Sequence, residues 1–504
     1  MSNRLPTPEM QGAGNSFPIP APFLGLNTRE AYTALQPTEA RVLENWLPDE
    51  GAVKVRPGHV SHQTISGASV VPTLAVWKGA TGQKLIAGAD GELYDVTGAP
   101  SALTAANYTV DRWQTANFNG WLFGVNGTDT PWRYDGSAVA ATGFTGPTLT
   151  SLQTVSQVRD RLWFSLINSA DVRYGPIGGV TGALTAFQLS QFAGGGKCVA
   201  IGSWSRDAGD GSDDFTVFIM NTGEIIVYQG NPATNFALVG KYMAPPPVGV
   251  GAVVKVGGEL VVMTVSGPIP VSAAVAGNAF SFDALQMWGK IAPSWKADYA
   301  RYGANAGWNA HFFDGLVYFN IATGLSTTKQ YVLNTRVSAW TVYTKLPAAQ
   351  LADLGGVLYF GSYSDGKVYR HGTGTDNGGQ IITLARQGAS YPMGAAKAAQ
   401  YTSYQPLIDA NGLTQMQFAL DVDFRDSALG STVHDLTTTG TGAQWGDPWG
   451  SPWAAPGRSR RRWYSAKGFG RAVAPVVRTL STADSVSWFA SQLIAVPGGP
   501  LGQG

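Results

Sequence analysis

Leu85–Val96 reads LIAGADGELYDV: a short apolar run, a tight polar turn at Asp90–Gly91, then a second run. The pattern returns as WLFGVNGTDTPWRYD at Trp121–Asp135, RLWFSLINSADVRYG at Arg161–Gly175 and FTVFIMNTGEIIVYQG at Phe215–Gly230. Weaker copies are ELVVMTVSGPIPVSAAV at Glu259–Val275, LVYFNIATGLSTTKQYVLN at Leu316–Asn334 and VLYFGSYSDGKVYRHG at Val357–Gly372. Starts fall roughly 35–60 residues apart, the spacing of propeller blades or arrays of small sheets. One such sheet cannot bury both of its faces, so the copies must stack around an axis.

Composition agrees. Charged residues make up 13% of the 504-residue chain, about half of the ~25% in an average soluble domain. Gly (64) and Pro (29) are abundant, as are Trp (16), Tyr (19) and Phe (21). Short aromatic and β-branched runs punctuated by Gly, Asn and Asp are the signature of an all-β chain. The length exceeds one ordinary core, so more than one domain is expected.

The net charge of +1 argues against tight, sequence-independent gripping of nucleic acid, which needs a basic excess. DNA passing nearby remains compatible with it. Cys198 is the single cysteine, so no intrachain disulfide framework exists. The five histidines (His59, His62, His311, His371, His434) are scattered and do not suggest structural zinc. No cofactor is expected. No stretch is long and apolar enough to span a bilayer, and the N-terminus lacks the apolar core of a signal peptide. Folding in a cytoplasm is expected.

Residues 1–22 are Pro/Gly-rich and read as an extended arm that something must hold, a neighbouring subunit being the expected holder. PTEARVLENWL at 37–47 reads as a short helix, with Pro37 at its first turn and Pro48 ending it. Pro245, Pro246 and Pro247 mark a stiff break. From 391 the runs YTSYQPLIDANGL and MQFALDVDF alternate as longer half-buried strands around Asn411–Gly412. The last strand, SVSWFASQLIAV at Ser485–Val496, could join them or close the ring. The expected fold is therefore all-β: a β-propeller-like ring of blades, an additional C-terminal β-sandwich-like region and a short N-terminal helix. The expected boundaries are 1–50 for the arm and helix, 51–390 for the propeller and 391–504 for the sandwich.

Catalytic signatures are missing: no GxSxG, HExxH, P-loop or CxxC occurs. Asp421 and Asp423 share a strand face at i and i+2 and could act together, or serve as a solvated strand end. Four aspartates (Asp207, Asp210, Asp213, Asp214) crowd the Arg206–Asp214 segment. This is either an oxygen-rich ion loop without the EF-hand pattern or a solvated loop between blades. Trp445, Trp449 and Trp453 suit either an interface or packing under a loop. The most polarised segment is GRSRRRWYSAKGFGR at Gly457–Arg471. It sets Arg458, Arg460, Arg461, Arg462, Lys467 and Arg471 among Trp463, Tyr464 and Phe469, with no acid between. It reads as a solvated loop, as a docking surface for a protein partner, or as a surface facing DNA.

The segment PFLGLNTREAYTALQPTEARVLENWLPDEGAVKVRPGH at Pro22–His59 resembles the opening of tail nozzle proteins of short-tailed bacteriophages, called tubular tail protein B in T7-like phages. Asn45–Trp46 and the Gly51–Gly58 run with Arg56 carry the likeness, with fragments such as DVDF at Asp421–Phe424 and the pair Gly498–Gly499. The resemblance implies a homohexameric propeller ring at the distal end of a tail. It implies docking beneath an adaptor ring, contact with fibres or spikes, and passage of viral double-stranded DNA through a gated lumen. No catalysis is implied. The virion would be its place of action and the host bacterial cytoplasm its place of assembly. A glycan-recognising receptor-binding tail protein is the alternative, and a propeller glycosidase a third reading.

Overall fold

A computed structural model of the chain describes residues 14–104, 107–207, 212–280, 286–436, 461–482 and 485–498. The chain divides into two units: Pro57–Gly378, and a second built from Met1–Arg56 together with Gly379–Gly504.

The first unit is a closed propeller of seven blades. Blade 1 comprises Thr73–Gly79, Gly82–Ala89, Glu92–Asp95 and Ser101–Ala102. Blade 2 comprises Gln114–Phe118, Trp121–Val125, Trp132–Tyr134 and Val139–Ala141. Blade 3 is Leu152–Val158, Arg161–Leu166, Val172–Tyr174 and Thr185–Phe187; blade 4 is Cys198–Asp207, Ser212–Met220, Glu224–Gln229 and Ala237–Met243. Blade 5 has three strands, Val253–Val256, Glu259–Thr264 and Gly267–Pro270. Blade 6 is Asn309–Phe313, Leu316–Ala322, Thr328–Asn334 and Ala339–Thr344. Blade 7 takes Ala348–Leu354, Val357–Ser362 and Lys367–His371, and borrows His59–Thr64 from the start of the unit as its outer strand.

The first strand of each blade lies beside the first strand of the next, and Ala348–Leu354 returns to Thr73–Gly79. This borrowed strand locks the ring shut: ends that would otherwise fray are hydrogen-bonded to each other. Each repeat quoted above coincides with the second and third strands of one blade. The turn at Asp90–Gly91 has positive φ at both residues (50° and 78°), as a two-residue hairpin of this hand requires. Asn126–Gly127 is instead a loop, in which Asn126 Oδ1 accepts from the Thr128 and Asp129 amides. Pro245–Pro247 lie in the linker between blades 4 and 5, where a stiff break is useful.

Aromatic wedges fill the gaps between neighbouring blades. Trp163 of blade 3 packs 5.3 Å, centroid to centroid, from Phe218 of blade 4. Trp77, Trp113, Trp132 and Tyr134 join blades 1 and 2. The short blade 5 needs more filling, and the helix Ala292–Tyr302 supplies it. Its fully buried Trp295 donates Nε1–H to the Thr264 carbonyl of blade 5 at 2.8 Å and packs on Phe319 and Tyr331 of blade 6. Truncating such a tryptophan costs about 3–5 kcal/mol in comparable cores.

The second unit is a sandwich of two antiparallel sheets. One carries Trp46–Asp49, Ala52–Val55, Val486–Pro497, Ala399–Ala410 and Tyr464–Gly470 in that order, with Asn15–Pro20 also on Val486–Pro497. The other includes Ala40–Glu44, Leu384–Gln387, Val473–Ser481, Thr414–Val422 and His434–Asp435. Tyr404 stacks on Phe418 across the two sheets at 4.8 Å. Gly468 and Gly470 let the sheets approach, since a Cβ there would stand 2.8 and 2.3 Å from Val422 methyl groups.

Several expectations are corrected. The segment 37–47 is not a helix. Ala40–Glu44 is a strand paired with Leu384–Gln387, and Asn45 at φ 57° breaks it before Trp46–Asp49 begins. Pairing to a distant strand overrides the local helical pattern. The described part of the arm is paired with this chain's own last strand, from Asn15↔Ala495 to Pro20↔Ala490, where a neighbouring subunit was the expected holder. That last strand joins the sandwich, and the ring is closed from 59–64 instead. The turn at Asn411–Gly412 makes no hairpin; it passes the chain from one sheet to the other. The propeller therefore runs 57–378, and the sandwich takes residues from both sides of it, where 1–50, 51–390 and 391–504 were expected.

Candidate functional site

Segments at the innermost strands of several blades meet around a cavity of about 380 Å³. Its wall is made where the innermost strands begin: Arg112 and Gln114 from blade 2, Gln153 from blade 3, Val248–Val250 before blade 5, Gly303–Asn309 before blade 6 and Gln350 from blade 7. Among the described residues no acidic one lines it. Arg112 is its one cation, and it makes no ion pair among the described residues. Arg112 Nη2 donates to Tyr363 Oη at 2.6 Å, its guanidinium carbon lies 5.2 Å from the Tyr363 ring centroid, and Tyr363 Oη donates to the Ala306 carbonyl at 2.9 Å. The tyrosine thus fixes the arginine and leaves most of its N–H donors unspent. Sequence reading missed this site. Its residues sit at separate places along the chain and meet only because the ring closes.

The motif residues of the opening are structural. Arg56 is 1% exposed, and its Nε donates to Asn45 Oδ1 at 2.8 Å; Asn45 Nδ2 donates to the Ile382 carbonyl at 2.8 Å. Trp46 is fully buried and packs against Trp488 at 5.8 Å. Gly51, at φ 66°, turns the hairpin. Gly58 sits where a Cβ would be 2.3 Å from the Gly374 carbonyl oxygen.

Asp421 and Asp423 do not act as a pair. The Asp421 side chain is fully buried and accepts from Arg386 Nη1 at 3.1 and 2.9 Å, Arg41 Nη2 at 3.2 Å, the Ser427 amide at 2.6 Å and Tyr32 Oη at 3.3 Å. Arg41 also reaches Asp426. Burial, followed by the nearby Asp421 charge, pushes the Tyr32 hydroxyl up to about 12. Asp423 turns away at φ 47° and accepts from the Arg471 and Ala472 amides at 2.8 and 3.0 Å. Every Asp421 lone pair that a reaction would need is already committed to the fold.

Of the basic segment, Arg458 and Arg460 lie outside the described residues. Arg461, Arg462 and Trp463 lead into the strand Tyr464–Gly470, which pairs with Ala399–Ala410 and, among the described residues, stands last in its sheet. Ser465, Lys467 and Phe469 are exposed along it, as is Arg471 just beyond. Trp463 and Phe469 are 42% and 52% exposed. The described part of the segment, 461–471, is therefore a strand with its lead-in and not a loop. Trp445, Trp449 and Trp453 lie outside the described residues. Asp210 does too. The flanking strands Cys198–Asp207 and Ser212–Met220 pair with each other in blade 4, so the acidic segment lies within a blade and not between blades. Among the described residues no group of acids, histidines and cysteines is placed to hold a metal ion. No described helix is long and apolar enough to cross a membrane.

No protein-family model matches the chain, and no curated protein matches it. Solved structures do. The computationally designed Ika8 protein matches 62% of this chain and 99% of its own, at 10% identity and a TM-score of 0.35. A structure of the Mitotic Checkpoint Complex matches at 10% identity and a TM-score of 0.38, covering 62% of this chain and 93% of that one. BBS1N, solved in complex with ARL6DN, matches at 10% identity and a TM-score of 0.39, over 63% of this chain and 97% of that one. The propeller assignment rests on strand pairing and ring closure and not on these distant likenesses.

Proposed function

We propose that the chain is a structural subunit of a short phage tail: the distal nozzle, a ring of copies whose axial channel retains and then conducts double-stranded DNA. An adaptor would dock above it and fibres or spikes beside it. The resemblance of Pro22–His59 suggests the family. The observation that carries the reading is the basic and aromatic stretch at Arg461–Arg471 in the sandwich unit, whose strand is the last of its sheet among the described residues. The last strand of a sheet can offer a row of backbone donors and acceptors to another chain. Head-to-tail use of such an edge by identical copies gives a closed ring.

Light scattering on the purified full chain tests this. A cyclic oligomer is expected, and Arg461→Ser with Arg462→Ser should lower its mass while leaving the circular dichroism spectrum unchanged. A chain that stays monomeric at tens of micromolar, or a double variant that assembles like the parent, contradicts the reading. The second reading, a glycan-recognising tail protein, draws on the propeller cavity.

A further inference from the structure

We propose that the cavity among the innermost propeller strands binds a small organic acid through its single carboxylate. The inference rests on the propeller alone and holds whether or not copies of the chain form a ring.

Arg112 is the one cation of the described lining, and among the described residues no acid lines the cavity or pairs with it. A positive charge in a recess without a counter-charge attracts one negative charge, and does so more strongly than on an open surface. The guanidinium is also held in place. Its Nη2 donates to Tyr363 Oη at 2.6 Å, and the Gly307 backbone packs so close that a Cβ there would stand 2.7 Å from Nη1. Nε and Nη1 make no hydrogen bond among the described residues, yet neither is shut off from solvent. A restrained arginine with an accessible fork takes a planar carboxylate through two parallel hydrogen bonds and loses little freedom in doing so.

Neutral donors in the same wall suit the same ligand. Gln350 Oε1 accepts from the Leu74 amide at 3.3 Å, which settles that the other end of the side chain is the nitrogen. That Nε2 has no partner among the described residues and is also not shut off from solvent. Gln114, two residues from Arg112, lines the cavity with its side-chain amide unspent among the described residues. These amides add donors without adding charge, so the wall offers one positive charge in all. A monocarboxylate balances it, a phosphate dianion exceeds it, and a neutral ligand leaves it uncompensated. Half-buried Val110, Val248 and Val250 give apolar contact for the rest of the acid. A volume of about 380 Å³ falls in the ligand-pocket range of roughly 300–1,000 Å³.

Isothermal titration of the full chain with acetate, butyrate and benzoate tests the proposal, with acetamide, butyramide, benzamide and inorganic phosphate as comparison probes. At least one of the acids should bind, at least tenfold more tightly than its own amide and than phosphate. Arg112→Gln should abolish that binding. Since Arg112 also braces Tyr363, Gln114→Glu is the second variant. It replaces an amide that bonds nothing among the described residues by a carboxylate of the same shape, and so cancels the cavity's charge while the circular dichroism spectrum stays that of the parent. Binding to it should fall at least tenfold. No binding of any of the three acids at millimolar concentration overturns the proposal. An amide or phosphate binding as tightly as the acids does so as well, as does either variant binding like the parent.

Discussion

The propeller and the sandwich are both antiparallel β-structure, yet they are assembled in opposite ways. In the propeller blades, successive strands mostly pair with their neighbours in sequence, as Gln114–Phe118 does with Trp121–Val125, and 59–64 travels farthest to reach its partner. In the sandwich, Asn15 meets Ala495, Val53 meets Trp488 and Ala40 meets Gln387. Local pairing closes small loops cheaply, whereas distant pairing must first overcome the entropy of the intervening chain. The difference teaches that one unit carries its whole design within its own segment. The other needs both sides of the chain at once.

The largest effect should come from cutting the chain along that division. Residues 57–378 contain their own closing strand and should fold alone, with a cooperative thermal transition and a β-rich circular dichroism spectrum. Residues 379–504 expressed without 14–56 should not fold, because Asn15–Pro20, Ala40–Glu44 and Ala52–Val55 would be missing from their sheets. A structured 379–504 fragment, or an unfolded 57–378, breaks the comparison.

Next is Asp421→Ala. It leaves Arg386, a largely buried cation, without its carboxylate, and losing one partner of such a pair costs about 3–5 kcal/mol. In a denaturant titration of the full chain the sandwich transition should move to lower denaturant while the propeller transition stays in place. A shift of both together would mean that the two units do not unfold independently.

Alkaline pH should act more gently and on both units. Tyr401 of the sandwich is held up to about 12 by burial and then by the charge of Asp423. Tyr331 of the propeller is pushed up further, by burial and then by Asp298. An unfolded tyrosine ionises near 10. Below that the contribution of these shifts is fully present. As pH rises from about 10 through 12 the unfolded chain sheds protons that the folded chain keeps, so stability falls. Melting temperatures that stay level from pH 9 to 11.5 would contradict this.

The smallest effect is an expected silence. Cys198, fully buried in blade 4, has its thiol pushed up to about 12 by burial. An aromatic disulfide reagent should leave it untouched in the native chain and label it only as the propeller opens. It would then report on one unit alone. Fast labelling in native buffer would show that blade 4 opens readily.

The same contrast decides what was legible in the sequence. Blade hairpins were readable because both strands and their turn lie within about 15 residues, as in Leu85–Val96, and because turn residues such as Asp90–Gly91 announce themselves. The sandwich was half legible: Ala399–Ala410 and Thr414–Val422 alternate visibly, but nothing local says that they belong to different sheets. The segment 37–47 misled for the same reason, its partner lying at Leu384–Gln387. The basic run at Arg461–Arg471 could be seen, but not its place in a strand. Arg112, Gln114 and Gln350 carry no motif and became a site only through ring closure.

Electron cryomicroscopy of tails carrying this chain tests the central claim most directly. The account predicts a ring of copies on the tail axis at the distal end, around a lumen wide enough for duplex DNA. A single copy or small cluster at the periphery, away from the axis, would contradict the nozzle reading and leave receptor recognition in its place.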